Sequence, residues 1–166
     1  LPDLVDGDDL PRLLDFMRVT RDRTDIVQLQ NALVAAANRI PTPEDRAALI
    51  LAELERGEAG RRADFMRPLA RIGGRKALAT VVEAVSGEDD SIRTTAVYTL
   101  VQWKDPAAMA AILELAEETP KAKHRYMAIQ GYIRLLNDQE GDPGGKYRRL
   151  MRVRNLIRSQ EEKNLF

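Results

Sequence analysis

Ile40, Ile72, Trp103 and Leu135 follow one another at intervals of 32, 31 and 32 residues. Val34, Met66, Val97 and Ile129 keep the same spacing, as do Ala37, Leu69, Leu100 and Tyr132. A period in this range marks stacked supersecondary units, none of which can bury its apolar face alone. Within each unit the apolar residues recur at helical spacing, so the chain reads as all-α, a file of helix pairs. Composition agrees. The 166 residues are 44% hydrophobic and only 5% aromatic, as closely packed Ala- and Leu-rich helices require. Pro and Gly are few and fall between the periodic segments, which argues against an all-β or a disordered chain.

The first helices of the pairs are expected at about 24–40, 60–73, 91–104 and 121–137, and their partners at about 43–56, 75–86, 106–119 and 146–160. This divides a single domain, residues 1–166, into repeats at about 24–57, 58–87, 88–119 and 120–161. Ahead of them an acidic lead-in over residues 1–9 runs into a capping helix at 9–20. Asp9 is its expected N-cap and Pro11 an early helical residue, with Leu10, Leu13, Leu14 and Met17 on one face. Pro43, Pro106 and Pro120 stand at helix starts, where a missing N–H costs nothing. Gly57, Gly73, Gly74 and Gly87 stand at helix ends and are expected to be left-handed C-caps. Pro68 falls within a helix and predicts a kink. In the second helices Leu49, Val81 and Ile112 align, as do Ile50, Val82 and Leu113.

Charge excludes little but is informative in its balance. With 26 basic and 26 acidic residues the net charge is zero, so no global field favours nucleic acid or an anionic membrane. Local charge is uneven: residues 1–25 carry net −3, and the stretch from Gly144 carries net +5. The second is expected to be the solvated outer face of a capping helix whose Leu150, Val153, Leu156 and Ile157 turn inward. There is no cysteine, hence neither a disulfide framework nor a thiolate metal site, which is compatible with either side of a bacterial membrane. No apolar run reaches the roughly 18 residues of a membrane span. The chain opens Leu1-Pro2 without an initiator Met or a signal-like stretch, so we expect a domain of a longer protein.

Ankyrin and tetratricopeptide arrays have similar periods, but neither signature occurs. The segment Glu88-Asp89-Asp90-Ser91-Ile92-Arg93, followed by Ala96, Leu100, Trp103 and the Asp105-Pro106 turn, instead resembles the short bacterial HEAT-like repeat of the phycocyanobilin-lyase type. The Arg of that unit recurs as Arg62, Arg93 and Arg125, with Gln30 in the first unit. The likeness covers residues 24–137 well and the ends poorly. It implies a right-handed α–α superhelix of the armadillo/HEAT type, with about four helix pairs behind the N-terminal capping helix.

Setting the units in register at about 100° per residue separates their faces. Ala36, Pro68, Thr99 and Gly131 form a row of mostly small residues, which lets neighbouring helices approach. The row of Gln30, Arg62, Arg93 and Arg125 edges the core stripe and is expected to bridge repeats or to cap carbonyls. Opposite lies a stripe of Asn31, Ala35 and Arg39; Ala63, Arg67 and Arg71; Thr94, Tyr98 and Gln102; Tyr126, Gln130 and Arg134. In HEAT-like solenoids this helix lines the concave surface, so the resemblance places these twelve residues in the groove. They include four arginines and two tyrosines and no acid, a composition suited to recognition. A solvated helix face is polar in any case, and this chain is rich in Arg.

Other signals are explained by structure. His124, with no second His and no Cys, is expected to be a surface residue. Asp138, Glu140 and Asp142 alternate as calcium ligands would, but the EF-hand positions for Gly and Glu are held by Pro143 and Arg149. Trp103 and Asp105 could suggest the Trp and Asp of HEAT-like DNA glycosylases; their places in the core row and in the Asp-Pro turn favour packing. No phosphate loop, zincin helix or nucleophile elbow occurs. The expected function is therefore a non-catalytic interaction module without a cofactor or metal. Arg39, Arg67, Arg71, Tyr98, Gln102, Tyr126, Gln130 and Arg134 would contact an acidic protein or peptide partner, or an adjoining domain of the parent chain. A nucleic-acid or other anionic ligand on the same face, or a bilin-lyase-like enzyme, is the alternative.

Overall fold

The computed structural model describes residues 6–57 and 59–164, so the first five residues of the acidic lead-in lie outside the described residues. Among those described there are α-helices and short 3-10 turns and no strand. The helices are α1 (Leu10–Val19), α2 (Arg23–Ala37), α3 (Pro43–Arg56), α4 (Ala59–Met66), α5 (Leu69–Ile72) and α6 (Arg75–Val85). They continue as α7 (Asp90–Val101), α8 (Met109–Glu118), α9 (Ala122–Asp138), α10 (Pro143–Arg154) and α11 (Gln160–Lys163). Two compact units divide between Thr99 and Leu100, inside α7.

In the first unit α1 packs on α2 and α3, and α3 packs on α4, α5 and α6. Its core is built from the rows the period defines: Val34 and Met66, and Ala37 and Leu69, are buried, joined by Leu10, Leu14 and Met17 from α1. The cap of α1 begins earlier than expected. Asp9 makes no side-chain cap to α1; its Oδ2 accepts from the Asp6 N–H at 3.0 Å, while Asp6 Oδ1 accepts from the Asp8 N–H at 3.0 Å. Pro68 splits the second repeat's first helix into α4 and α5, as its missing N–H favours. The turn into α6 uses Gly73 and Gly74 at φ 82° and 100°, a region where only glycine is comfortable. Gly74 has no side chain to cap α6; Glu44 of α3 takes over, accepting from the Arg75 N–H at 2.7 Å and the Lys76 N–H at 3.3 Å. Those two backbone bonds hold the Glu44 carboxyl below the ordinary carboxylate range.

Two details differ from the expectation. Gly57 and Gly87 are not left-handed. At Gly57 the constraint is proximity, because a Cβ would stand 2.7 Å from the Glu53 carbonyl oxygen. The second helices also slip by one position: Ile50 is fully buried and Leu49 is 43% exposed in α3, whereas Val81 is the buried residue in α6. The cause is that α3 turns Ala47, Ile50 and Leu54 inward, a face offset by one residue from that of α6.

In the second unit α9 is the hub, packed by α8, α10 and α11. Leu100, Trp103, Ile112, Ile129, Tyr132 and Leu135 are buried there. Asp105 caps the 3-10 turn into α8, its Oδ1 accepting from the Ala107 N–H at 2.8 Å. Asp142 repeats this Asp-Pro device, accepting from Gly144 and Gly145 N–H at 3.1 and 2.7 Å. The last long helix therefore starts at Pro143 and ends at Arg154 instead of spanning 146–160. His124 is buried, not on the surface. Its position explains this: it precedes Ala128, Gly131 and Leu135 by 4, 7 and 11 residues, all on the inward face of α9.

Gly131 has the tightest fit. A Cβ built there would lie 2.8 Å from the Val101 carbonyl oxygen and 3.2 Å from its Cα, backbone that cannot swing aside. At an open helical site Gly→Ala gains roughly 1 kcal/mol from propensity; the overlap here reverses that sign. Gly131→Ala is expected to destabilise by about 1–3 kcal/mol. Gly60→Ala, whose new methyl would meet nothing within 4 Å, is expected to leave stability unchanged or to raise it. Urea denaturation of both variants measures the contrast.

Candidate functional site

The row beside the core carries structural bonds. Gln30 Nε2 donates across to the Asp64 carbonyl at 2.8 Å, joining α2 to α4. Arg62 Nε and Arg93 Nη1 reach back to the carbonyls of Gly57 and Gly87 at 3.3 and 2.9 Å, closing the turns that precede their own helices. Arg125 bonds a carboxylate instead: its Nε donates to Glu162 Oε1 at 2.8 Å. The other oxygen of Glu162 accepts from the Arg158 and Ser159 N–H groups at 2.6 and 2.9 Å, and Ser159 Oγ accepts from the Glu162 N–H at 3.2 Å. This reciprocal Ser-x-x-Glu box starts α11. Burial pushes the Glu162 carboxyl up, but the two backbone donors and the guanidinium outweigh it and leave it below the ordinary range.

The opposite stripe has a different character. In the first unit Arg39, Arg67, Arg71 and Tyr98 are exposed, while Asn31, Ala35, Ala63 and Thr94 are half-buried. Arg39 stands on the turn that follows α2, its N–H donating to the Ala36 carbonyl at 3.1 Å. Arg71 Nη1 donates to Asn31 Oδ1 at 2.7 Å, so two stripe residues from successive repeats meet directly. The Arg67 side chain makes no hydrogen bond or ion pair with a described residue. In the second unit Gln102 and Gln130 are exposed and Tyr126 and Arg134 half-buried. Arg134 has a structural duty as well: Nη2 donates to the Trp103 carbonyl at 2.6 Å and the Val101 carbonyl at 3.2 Å, capping the end of α7.

The residues weighed for chemistry are committed to the fold. Trp103 is 1% exposed, Asp142 caps α10, and Asp138 Oδ2 accepts from Arg134 Nη1 at 3.5 Å. Among the described residues no group of three or more His, Cys, Asp or Glu could hold a metal ion, and no helix is long and apolar enough to cross a membrane.

One cluster escapes sequence reasoning. Arg18 of α1 forks onto Glu53 of α3, Nε to Oε2 at 2.8 Å and Nη2 to Oε1 at 2.5 Å. The Arg18 hydrogen bond holds the buried Glu53 carboxyl below its ordinary range against the opposing effect of burial. The partners are 35 residues apart and in different helices, so no local pattern announces them.

Comparison with family descriptions matches residues 31–133 to HEAT repeats. Comparison with curated proteins and with solved structures finds no match.

Proposed function

The chain belongs to the HEAT-repeat family, and from that premise we propose that it is a non-catalytic interaction module that takes an acidic protein or peptide on Arg39, Arg67, Arg71, Tyr98, Gln102, Tyr126, Gln130 and Arg134. HEAT repeats generally serve as protein-interaction scaffolds and are typically non-enzymatic. The observation that carries the reading is the contrast within the first helices. None of the twelve stripe positions is buried, and no acid occurs among them, while the core rows of the same helices are almost wholly buried. Arginine forks suit carboxylates, and tyrosine offers rigid contact area. The same proposal takes the helix pairs to number four and to wind as a right-handed α–α superhelix, as the 31- to 32-residue period supports.

Binding of fluorescent Glu-rich peptides, followed by anisotropy, tests the reading. The combined change Arg67→Ala, Arg71→Ala and Tyr98→Ala is expected to weaken binding at least tenfold. Thermal stability should fall only slightly, because Arg67, Arg71 and Tyr98 are exposed and the one hydrogen bond among them that is removed, Arg71 to Asn31, contributes about 1 kcal/mol. Peptide binding that survives the triple change overturns the assignment of the face. A DNA probe that binds with affinity falling steeply with salt would favour the nucleic-acid alternative instead.

A further inference from the structure

A cavity of about 270 Å³ opens in the first unit and is lined by Arg18, Arg21, Glu53, Arg56, Arg61 and Phe65. Arg18 and Arg21 come from the end of α1, Glu53 and Arg56 from the last turn of α3, and Arg61 and Phe65 from α4. Charge compensation in this cavity is incomplete. Arg18 is matched by the buried Glu53 fork and also pairs with Asp15. Arg61 is matched by Asp64, Nη1 to Oδ2 at 3.4 Å, with both side chains 14% exposed. Among the described residues Arg21 donates to the Arg18 carbonyl at 3.3 Å and makes no ion pair, and Arg56 acts on the Glu53 carboxylate through its charge without a direct bond. Four guanidinium groups thus face three carboxylates, Glu53, Asp15 and Asp64, and one positive charge is in excess. Donors are also left over. Among the described residues Arg61 Nη2 bonds the Met17 carbonyl, and its buried Nε–H has no acceptor.

The geometry points to a binding site for a phosphate monoester or inorganic phosphate in this cavity, separate from the Arg/Tyr stripe. The excess positive charge, shared by the exposed Arg21 and Arg56 guanidinium groups, attracts the −1.5 to −2 charge a phosphoryl group carries near pH 7. A phosphoryl group also brings three acceptor oxygens to these forks, where a carboxylate brings two. The fork of N–H donors on each Arg suits tetrahedral oxyanions. Size narrows the ligand further: drug-sized molecules occupy pockets of roughly 300–1,000 Å³, so a cavity just below that range takes a phosphoryl group and the first atoms attached to it. The Phe65 ring gives those atoms an apolar wall.

The test follows the arginine Nε–H resonances of the whole chain while inorganic phosphate, an end-capped O-phosphoserine tripeptide with no other charged group, or acetate is added at constant ionic strength. Saturable shifts are expected with phosphate or phosphoserine, and acetate should bind at least tenfold more weakly. Equal affinity for the two phosphates identifies the free anion as ligand; tighter phosphoserine binding identifies a phosphorylated chain; both support the site. Arg21→Gln and Arg56→Gln, which remove exposed side chains, should each weaken phosphate binding at least tenfold with an unchanged melting temperature. The Arg67→Ala, Arg71→Ala control on the other face should bind phosphate like the parent. The inference is overturned if no saturable shift occurs, if acetate binds as well as phosphate, or if binding survives both Gln substitutions.

Discussion

Glu162→Ala is expected to cost about 3–5 kcal/mol of unfolding free energy, because it strands a buried guanidinium. The side chains of Arg125 and Glu162 are 7% and 1% exposed and their atoms 2.8 Å apart. Among the described residues Glu162 is the carboxylate that pairs with Arg125, and it also accepts from the Arg158 and Ser159 N–H groups at the start of α11. The reverse change should be gentler. Arg125→Met leaves the carboxylate with both backbone donors, so its charge stays solvated by protein dipoles. The order of loss, Glu162→Ala greater than Arg125→Met, is the expected result of chemical denaturation. A loss of hydrogen-exchange protection confined to residues 158–163, with the rest of the second unit unaffected, would mean that the pair only pins α11, and the global estimate would fail.

The same carboxylate gives a pH dependence with a definite sign. Its folded pKa lies below the unfolded value, which is near 4.3 for Glu. The stabilisation is therefore complete above about pH 4.3 and disappears as the pH falls through the lower, folded pKa. Glu53, depressed by Arg18, acts in the same direction. The stability gap between the parent and Glu162→Gln should be constant near neutrality and should narrow below about pH 4. A gap that widens under acid would contradict the sign.

What could be read in the chain and what could not divide along sequence distance. The core rows were legible because burial repeats with the helical period, and Val34, Met66, Val97 and Ile129 are indeed all buried. Pro68 was legible because a missing N–H acts locally. Asp142-Pro143 repeats Asp105-Pro106 and so marks the start of α10 in the sequence, although Gly144-Gly145 directly after it reads as loop. Ser159-Gln160-Glu161-Glu162 likewise spells a capping box, but its charged residues read equally well as part of a solvated face. The face of α3 was less accessible, since a one-residue slip leaves the apolar pattern nearly unchanged while exchanging Leu49 for Ile50. The Arg18–Glu53 fork and the cavity beside it lay beyond reach, because they form only when α1, α3 and α4 are packed together. None of the stripe residues is buried, but the second duty of Arg134 depends on carbonyls 31 and 33 residues away.

Trp103→Ala should likewise lose about 3–5 kcal/mol, the range for emptying a large aromatic site. The residue stands just beyond α7 at 1% exposure, its N–H donating to the Leu100 carbonyl at 3.1 Å and its carbonyl receiving Arg134. The position that holds Ile40, Ile72 and Leu135 in the other units has here been given the largest side chain in the chain, so its removal opens a cavity that smaller neighbours cannot fill. Trp103→Phe keeps most of the contact area and should lose far less. A tryptophan that served a ligand would reverse this pattern: Ala would bind poorly yet melt normally. As the chain's single tryptophan, it reports on itself. Parent emission should be that of a dry indole and should shift to the red, together with the loss of helical circular dichroism, on unfolding. Emission typical of a hydrated indole in the folded protein, or an Ala variant as stable as the parent, would move Trp103 from the core to the surface and reopen a functional role for it.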